Sequence, residues 1–280
     1  MTQKRVVTIQ DISCVGKCSL TVALPILSAA GIETSILPTA ILSTHTGGFV
    51  DFTFRDLTED VVPITNHWKA LDLKVDAIYT GYLGSEQQQQ LIADIFHDFR
   101  QPGTIILVDP AMADLGEFYP AFDQAFALGM RDLCAQADII CPNITEACFM
   151  LQRPYPGEDY TQLQIEEMLR ELAALGPDKV VLTGVSFDPA KVGAAAYDRD
   201  LDSFEYYFTE RVEGHYHGTG DIYSSALLAG IMNDKPLADA IRIACEFTTA
   251  AIRRTHTAAT DPKYGVDFEH ELPTLIALLA

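Results

Sequence analysis

Six short runs in this chain are apolar almost throughout, and each breaks off at a polar or turn-forming residue. They are RVVTIQ (5–10), TSILPTAIL (34–42), DAIYTGYLG (76–84), TIILVDP (104–110), ADIICPN (137–143) and KVVLTGV (179–185). Strands with no polar face must be covered on both sides, which is the condition of a parallel sheet sandwiched between helices. The stretches between them carry helical spacing. SLTVALPILSAAGI (19–32) has Ser19 as its expected N-cap and Gly31 as its stop, and SEQQQQLIADIFHDFR (85–100) is opened by Ser85. Two further helices fall near ITEACFMLQ (144–152) and TQLQIEEMLRELAALG (161–176). KVGAAAYDRD (191–200) and SFEYYFTERV (203–212) read as paired strands turning near Asp200, and two helices follow over 221–233 and 236–256. There is no internal repeat, linker or low-complexity tract; QQQQ (87–90) reads as a polar helical face. The expectation is a single α/β domain over 1–280.

Charge narrows the function classes. The 280 residues carry 39 acidic against 19 basic side chains, a formal net charge of −20. Such a field repels phosphate backbones and anionic lipid, so no nucleic-acid or membrane partner is expected. No apolar stretch approaches the roughly 20 residues of a spanning helix, and MTQKRVVTIQ carries no signal-like core, which points to the cytoplasm. Six cysteines are scattered among apolar neighbours without a C-x-x-C pair, so neither zinc nor a disulfide framework is expected. Cys14 and Cys18 have helical spacing and read as packing residues. His215 and His217 form H-x-H without an evident third ligand and read as solvent-facing.

In open α/β sheets, ligands gather beyond the carboxyl ends of the strands. Asp11, the 43–48 loop, Gly81-Tyr82, Asp109-Pro110, Asn143 and Thr183 all stand there, although turns favour such residues in any case. The most distinctive stretch is Gly218-Thr219-Gly220-Asp221, ahead of the apolar run from Ile222. Two glycines let main-chain N–H groups turn inward into an anion-binding concavity, and a helix start adds a favourable field. A carboxylate there could take a proton from an alcohol while the donors hold developing phosphoryl charge. A tight turn with Thr219 or Asp221 as an ordinary N-cap fits the same residues. Gly16-Lys17-Cys18 lacks the upstream glycine and the Ser/Thr of a P-loop, and Gly218-Thr219-Gly220 does not continue to a dinucleotide fingerprint.

The set taken in order resembles the pyridoxal/pyridoxamine kinases of the ribokinase-like superfamily. IQDISCVGKCSLTVALPILSAAGIETSILPTAILSTHTGGF, YTGYLGS (79–85), VDPAMAD (108–114), CPNITEA (141–147) and GTGD follow the family's order and spacing, over residues 5 to about 255. The resemblance implies a three-layer α/β/α sandwich with a mostly parallel central sheet, and transfer of phosphate from ATP to the 5′-hydroxymethyl group of a B6 vitamer. It casts Asp221 as the base and Gly218, Thr219 and Gly220 as the anion hole. Asp109, Asn143 and Glu146 would handle Mg²⁺–ATP, with Asp109 and Glu146 nearest the metal, and Thr183 would contact nucleotide phosphate. His45, Thr46, Tyr82 and Asp11 match positions around the pyridine ring, and Asp114 and Tyr119 fall in a flap-like loop. A monovalent cation such as K⁺ and a homodimer are further family expectations.

The chain departs from the pattern where many pyridoxal kinases have serine, at Asp11, and where they have an aromatic, near Val15. A carboxylate at 11 would favour a pyridinium or an amine arm, or else cap local turn backbone. Hydroxymethylpyrimidine kinase is the neighbouring alternative, and a non-catalytic binding protein of the same fold is the more distant one. An NAD(P) oxidoreductase would need a glycine fingerprint after the first strand that this chain lacks.

Overall fold

The computed structural model describes residues 3–280. β1 (Arg5–Ser13) is buried along almost its whole length and pairs in parallel on both sides, with β2 (Glu33–Leu42) and with β4 (Ala77–Thr80). The parallel run continues through β5 (Ile105–Val108), β8 (Ile139–Ile140) and β9 (Lys179–Val185). Antiparallel strands close both margins: β3 (Phe54–Asp56) beside β2, then β10 (Lys191–Asp198) and β11 (Ser203–Glu210) beside β9. The nine-stranded order is β11-β10-β9-β8-β5-β4-β1-β2-β3. β2 lies on one side of β1 and β4 on the other, so the chain reverses direction across the sheet at this point. The crevice that such a reversal opens at the strand ends is where a ligand is received.

Side-chain alternation along the strands feeds two helical layers. Val7 and Ile9 of β1 and Ile78 of β4 face α2 (Thr58–Ala70), α3 (Glu86–Phe99), α4 (Gln124–Cys134), α5 (Ile144–Met150) and α6 (Gln162–Ala174). Val6, Ala77 and Tyr79 face α1 (Leu20–Ala29), α7 (Thr219–Met232), α8 (Leu237–Ala258) and α9 (Leu272–Leu279). This is the three-layer, ribokinase-like sandwich. A separate two-stranded hairpin, β6 (Ala113–Asp114) and β7 (Glu117–Phe118), stands off the sheet after β5. Among the described residues no helix is long and apolar enough to cross a membrane.

Of the two serine caps expected from sequence, Ser85 holds and Ser19 does not, and α2 and α4 have no counterpart in the sequence reading. Ser85 caps α3 by accepting the Gln88 N–H, and Asn143 and Glu146 form a reciprocal capping box on α5. Ser19 occupies the N-cap position of α1, but its hydroxyl does not cap that helix and is donated to Asp11 instead. The QQQQ stretch also departs from expectation, because Gln88 and Gln89 are buried. Gln88 donates to the Thr39 carbonyl (3.0 Å) and the Thr58 hydroxyl (2.9 Å) and accepts the Gly84 N–H (2.7 Å). Gln89 donates to the Phe126 carbonyl (3.0 Å). Burial is tolerable because these amides find hydrogen-bond partners inside the protein. Cys14 and Cys18 lie in the turn between β1 and α1, ahead of the helix, so they form no helical face.

Candidate active site

A cavity of about 700 Å³ opens at the carboxyl ends of β1, β4, β5, β8 and β9, and α7 points its N-terminus into it. That volume suits a small organic ligand with a nucleotide rather than a macromolecule. Every residue singled out from sequence for a site lines it: Asp11, His45, Thr46, Tyr82, Asp109, Asn143, Glu146, Thr183, and Gly218 through Asp221. Asp114 and Tyr119 line it too, so the β6–β7 hairpin borders the opening. Asn143 Nδ2 donates to the Ala113 carbonyl (2.8 Å) and Thr145 Oγ1 accepts the Gly116 N–H (3.0 Å), tying the hairpin to the start of α5.

Gly218 is the N-cap of α7, with φ +77°, and no side chain caps the helix. A β-carbon at 218 would run into the carbonyl oxygen of Lys17, so the position admits glycine for steric as well as conformational reasons. The capping alternative for Thr219 and Asp221 is therefore not what the fold uses. Thr219 instead donates its hydroxyl to the Tyr216 carbonyl (3.3 Å). Among the described residues the main-chain N–H groups of 218–221 have no protein acceptor, as expected of an uncapped first turn. All four residues line the cavity, so these donors are free for a ligand there.

Asp221 sits in that first turn, enclosed except where it opens onto the cavity. Burial, and then the nearby charge of Asp109, raise its carboxyl from the ordinary 3.8 to about 8. Asp109 ends β5; its Oδ2 accepts the Ser224 hydroxyl (2.7 Å) and its Oδ1 the Ala111 N–H (3.3 Å). Glu146 accepts the Met112 N–H (3.0 Å) on one oxygen and the Asn143 N–H (2.9 Å) on the other. Burial raises both carboxyls, and in Glu146 the charge of Asp109 adds to it. Ser224 was not singled out from sequence. It stands three residues after Asp221, one helical turn along the same face, and that spacing was its signal.

The cavity is lined by six carboxylates (Asp11, Asp109, Asp114, Glu117, Glu146, Asp221) and by no lysine or arginine. A polyphosphate can enter such a place only with a cation. Among the described residues no three His, Cys, Asp or Glu side chains gather closely enough to hold a metal unaided. One or two carboxylates sharing a hard cation with ligand phosphates is the arrangement magnesium favours, and Asp109 and Glu146 each keep oxygen lone pairs for it. The donor set fits Mg²⁺ arriving with a nucleotide.

Two expectations at the ring-binding end change. His45 is buried, and both its nitrogens are engaged inside the protein: Nε2 on the Lys263 carbonyl (2.6 Å) and Nδ1 on the Gly47 N–H (3.1 Å). It pins the 43–49 loop and has no nitrogen left for a ligand's polar edge. Asp11 accepts the hydroxyls of Ser19 and Ser13, the latter at 2.9 Å. It thus braces the turn through side chains rather than backbone, and burial raises its carboxyl while the two hydroxyls pull it back. Tyr82 is half-buried, 5.3 Å from the Phe122 ring, and presents an aromatic wall. Burial, with Asp11 nearby, pushes its phenol up to about 12. His217 is not in solvent. It is half-buried, lines the cavity and lies 5.2 Å from the His45 ring; His215 stands 5.1 Å beyond it.

Residues 25–265 match the family model described as phosphomethylpyrimidine kinase. The chain is similar to a Bacteroides thetaiotaomicron protein, assigned provisionally as a phosphomethylpyrimidine kinase, whose crystal structure holds pyridoxal. Identity is 38%, 98% of this chain and 96% of that one are covered, and the TM-score is 0.94. It is similar also to the pyridoxal kinase of Lactobacillus plantarum, at 32% identity, with 98% and 97% covered and a TM-score of 0.90. A pyridoxal kinase of Actinobacillus pleuropneumoniae is 31% identical over 185 residues, which span 58% of this chain and 57% of that relative.

Proposed function

This chain belongs to the phosphomethylpyrimidine and pyridoxal kinase family, and we propose that within it the protein phosphorylates the 5′-hydroxymethyl group of a B6 vitamer. ATP is the donor; the products are the 5′-phosphate and ADP. The observation that carries this reading is the pairing of uncapped N–H donors at 218–221 with a half-buried Asp221, at a cavity lined by six acidic side chains and no lysine or arginine. Pyridoxal in the 38%-identical structure supports a pyridine substrate.

In the proposed reaction the vitamer lies against Tyr82 and Thr46 with its hydroxymethyl oxygen toward Asp221. Asp221 takes the hydroxyl proton as that oxygen attacks the γ-phosphorus in line; the bond to the ADP oxygen breaks, and ADP leaves with the electron pair. The N–H groups at 218–220 donate to the phosphoryl oxygens as their charge redistributes. Asp109 and Glu146 would hold Mg²⁺, Asn143 and Thr183 would border the nucleotide phosphates, and the Ser224 hydroxyl orients Asp109. When bound, Mg²⁺ supplies neutralising charge to phosphates and carboxylates alike; a monovalent cation such as K⁺ would add to it. A carboxyl raised toward 8 keeps a strong affinity for the proton it must accept, provided that cation allows it to ionise first.

Hydroxymethylpyrimidine is the second substrate reading, favoured by the description of the matching family model. ADP release measured over pyridoxal, pyridoxamine, pyridoxine, hydroxymethylpyrimidine and ribose separates the two. Turnover of a vitamer above hydroxymethylpyrimidine is expected; the reverse order, or no ADP with any vitamer, overturns the proposal. We also propose a cytoplasmic homodimer. Exposed Ile36, Ile41 and Phe54 beside the β2–β3 margin offer the apolar surface for it.

A further inference from the structure

We propose that His217 recognises the polar substituent on the substrate ring next to the reacting hydroxymethyl group, and so sets preference among substrates. The inference rests on the B6-kinase reading above.

Three histidines meet where the 43–49 loop, the 213–217 loop and the 262–264 turn converge, and their chemistry differs. His45 donates through Nε2 to the Lys263 carbonyl and accepts through Nδ1 from Gly47, which fixes its tautomer and leaves nothing for a ligand. His217 lines the same cavity, yet among the described residues neither of its ring nitrogens makes a hydrogen bond. Its ring is nevertheless held. It lies against Gly47, where a β-carbon would come about 2.5 Å from its Cε1 and Nδ1, and is flanked by the His45 and His215 rings. An imidazole wedged in a glycine slot with both nitrogens unused is positioned to bond something that enters the cavity.

Chain position says which part of the ligand it meets. His217 immediately precedes Gly218, one Cα step of about 3.8 Å from the turn that receives the phosphoryl group. A ring whose hydroxymethyl reaches Asp221 presents its neighbouring position to the wall formed by this loop. In pyridoxal that position carries an aldehyde, in pyridoxamine an aminomethyl, in pyridoxine an alcohol, and in hydroxymethylpyrimidine an amine. Burial, and then the His45 and His215 rings, hold His217 below the ordinary histidine value, so it is neutral near pH 7. A neutral imidazole offers one donor and one acceptor and can exchange them by changing tautomer. It can donate to the aldehyde and accept from the amine, which a lysine or a carboxylate in its place could not.

The test compares kcat/KM for pyridoxal and pyridoxamine with that for 4-deoxypyridoxine, which carries a methyl group at this position. Wild type, His217→Leu and His217→Gln are measured side by side. One hydrogen bond lost in a sheltered site predicts that the polar-to-methyl selectivity ratio falls about five- to tenfold in His217→Leu. It should recover in His217→Gln, which restores a donor and an acceptor. A merely structural role would lower all three substrates together and leave the ratio where it was; that result sinks the assignment of His217. If His217→Leu does not fold, His217→Ala, which removes the ring without adding bulk against Gly47, is read in the same way. Wild type inactive on all three compounds would instead overturn the B6 reading itself.

Discussion

Asp221→Asn separates the catalytic from the electrostatic role of the buried carboxyl, because the two move in opposite directions. The side chain's shape is kept and its capacity to take a proton is lost. If Asp221 is the base, kcat should fall by about two to four orders of magnitude, the usual span of a positioned general base, while ATP binding is retained. Stability should rise instead. In the folded protein the carboxyl titrates near 8, against an ordinary 3.8 in the unfolded chain. Between those values the unfolded chain releases a proton that the folded one keeps. The favourable contribution of the protonated acid is therefore complete below about pH 4 and is lost as pH climbs through 8. Each unit is worth about 1.4 kcal/mol, so the whole displacement bounds the effect near 5–6 kcal/mol. The carboxyl still opens onto solvent in the cavity, so about half of that, roughly 2–3 kcal/mol, is the expectation. Denaturant unfolding of the nucleotide-free proteins at pH 5, 7 and 8.5 gives the comparison. Asp221→Asn should gain on wild type as pH rises, by the stated amount at pH 8.5. Stability profiles that run parallel across this range would refute the account of Asp221 as a strained buried acid, and undiminished kcat would refute its role as base.

Gly218→Ala forces a left-handed residue and a side chain into the Lys17 carbonyl; about 1–3 kcal/mol of strain and at least a tenfold loss in kcat/KM are expected, checked by thermal unfolding and ADP release. Ser224→Ala removes the hydroxyl 2.7 Å from Asp109; activity at limiting Mg²⁺ should drop about tenfold and recover toward wild type as Mg²⁺ is raised, seen in a metal titration. Gln88→Leu leaves the Gly84 N–H unpaired and takes a donor from the Thr58 hydroxyl, while the Thr39 carbonyl keeps the Leu57 N–H; about 1–3 kcal/mol of stability should be lost with substrate KM unmoved, read from denaturant midpoints and initial rates.

What the sequence determined by itself was the alternation of strand and helix, the capped start of α3, and the glycine turn ahead of Asp221. Each depends on residues a few positions apart: apolar periodicity, a hydroxyl three residues from a free N–H, a missing β-carbon. Tertiary structure alone decided that Gln88 and Gln89 turn inward, that His45 is engaged by Lys263 while His217 stays available, and that Ser19 serves Asp11 instead of its helix. It also gathered Asp11, Asp109, Glu146 and Asp221 around one cavity and thereby moved their titration. Desolvation and charge–charge energy are set by neighbours in space, and groups that perturb these carboxyls, such as Asp11 beside Asp221, lie more than two hundred positions away along the chain.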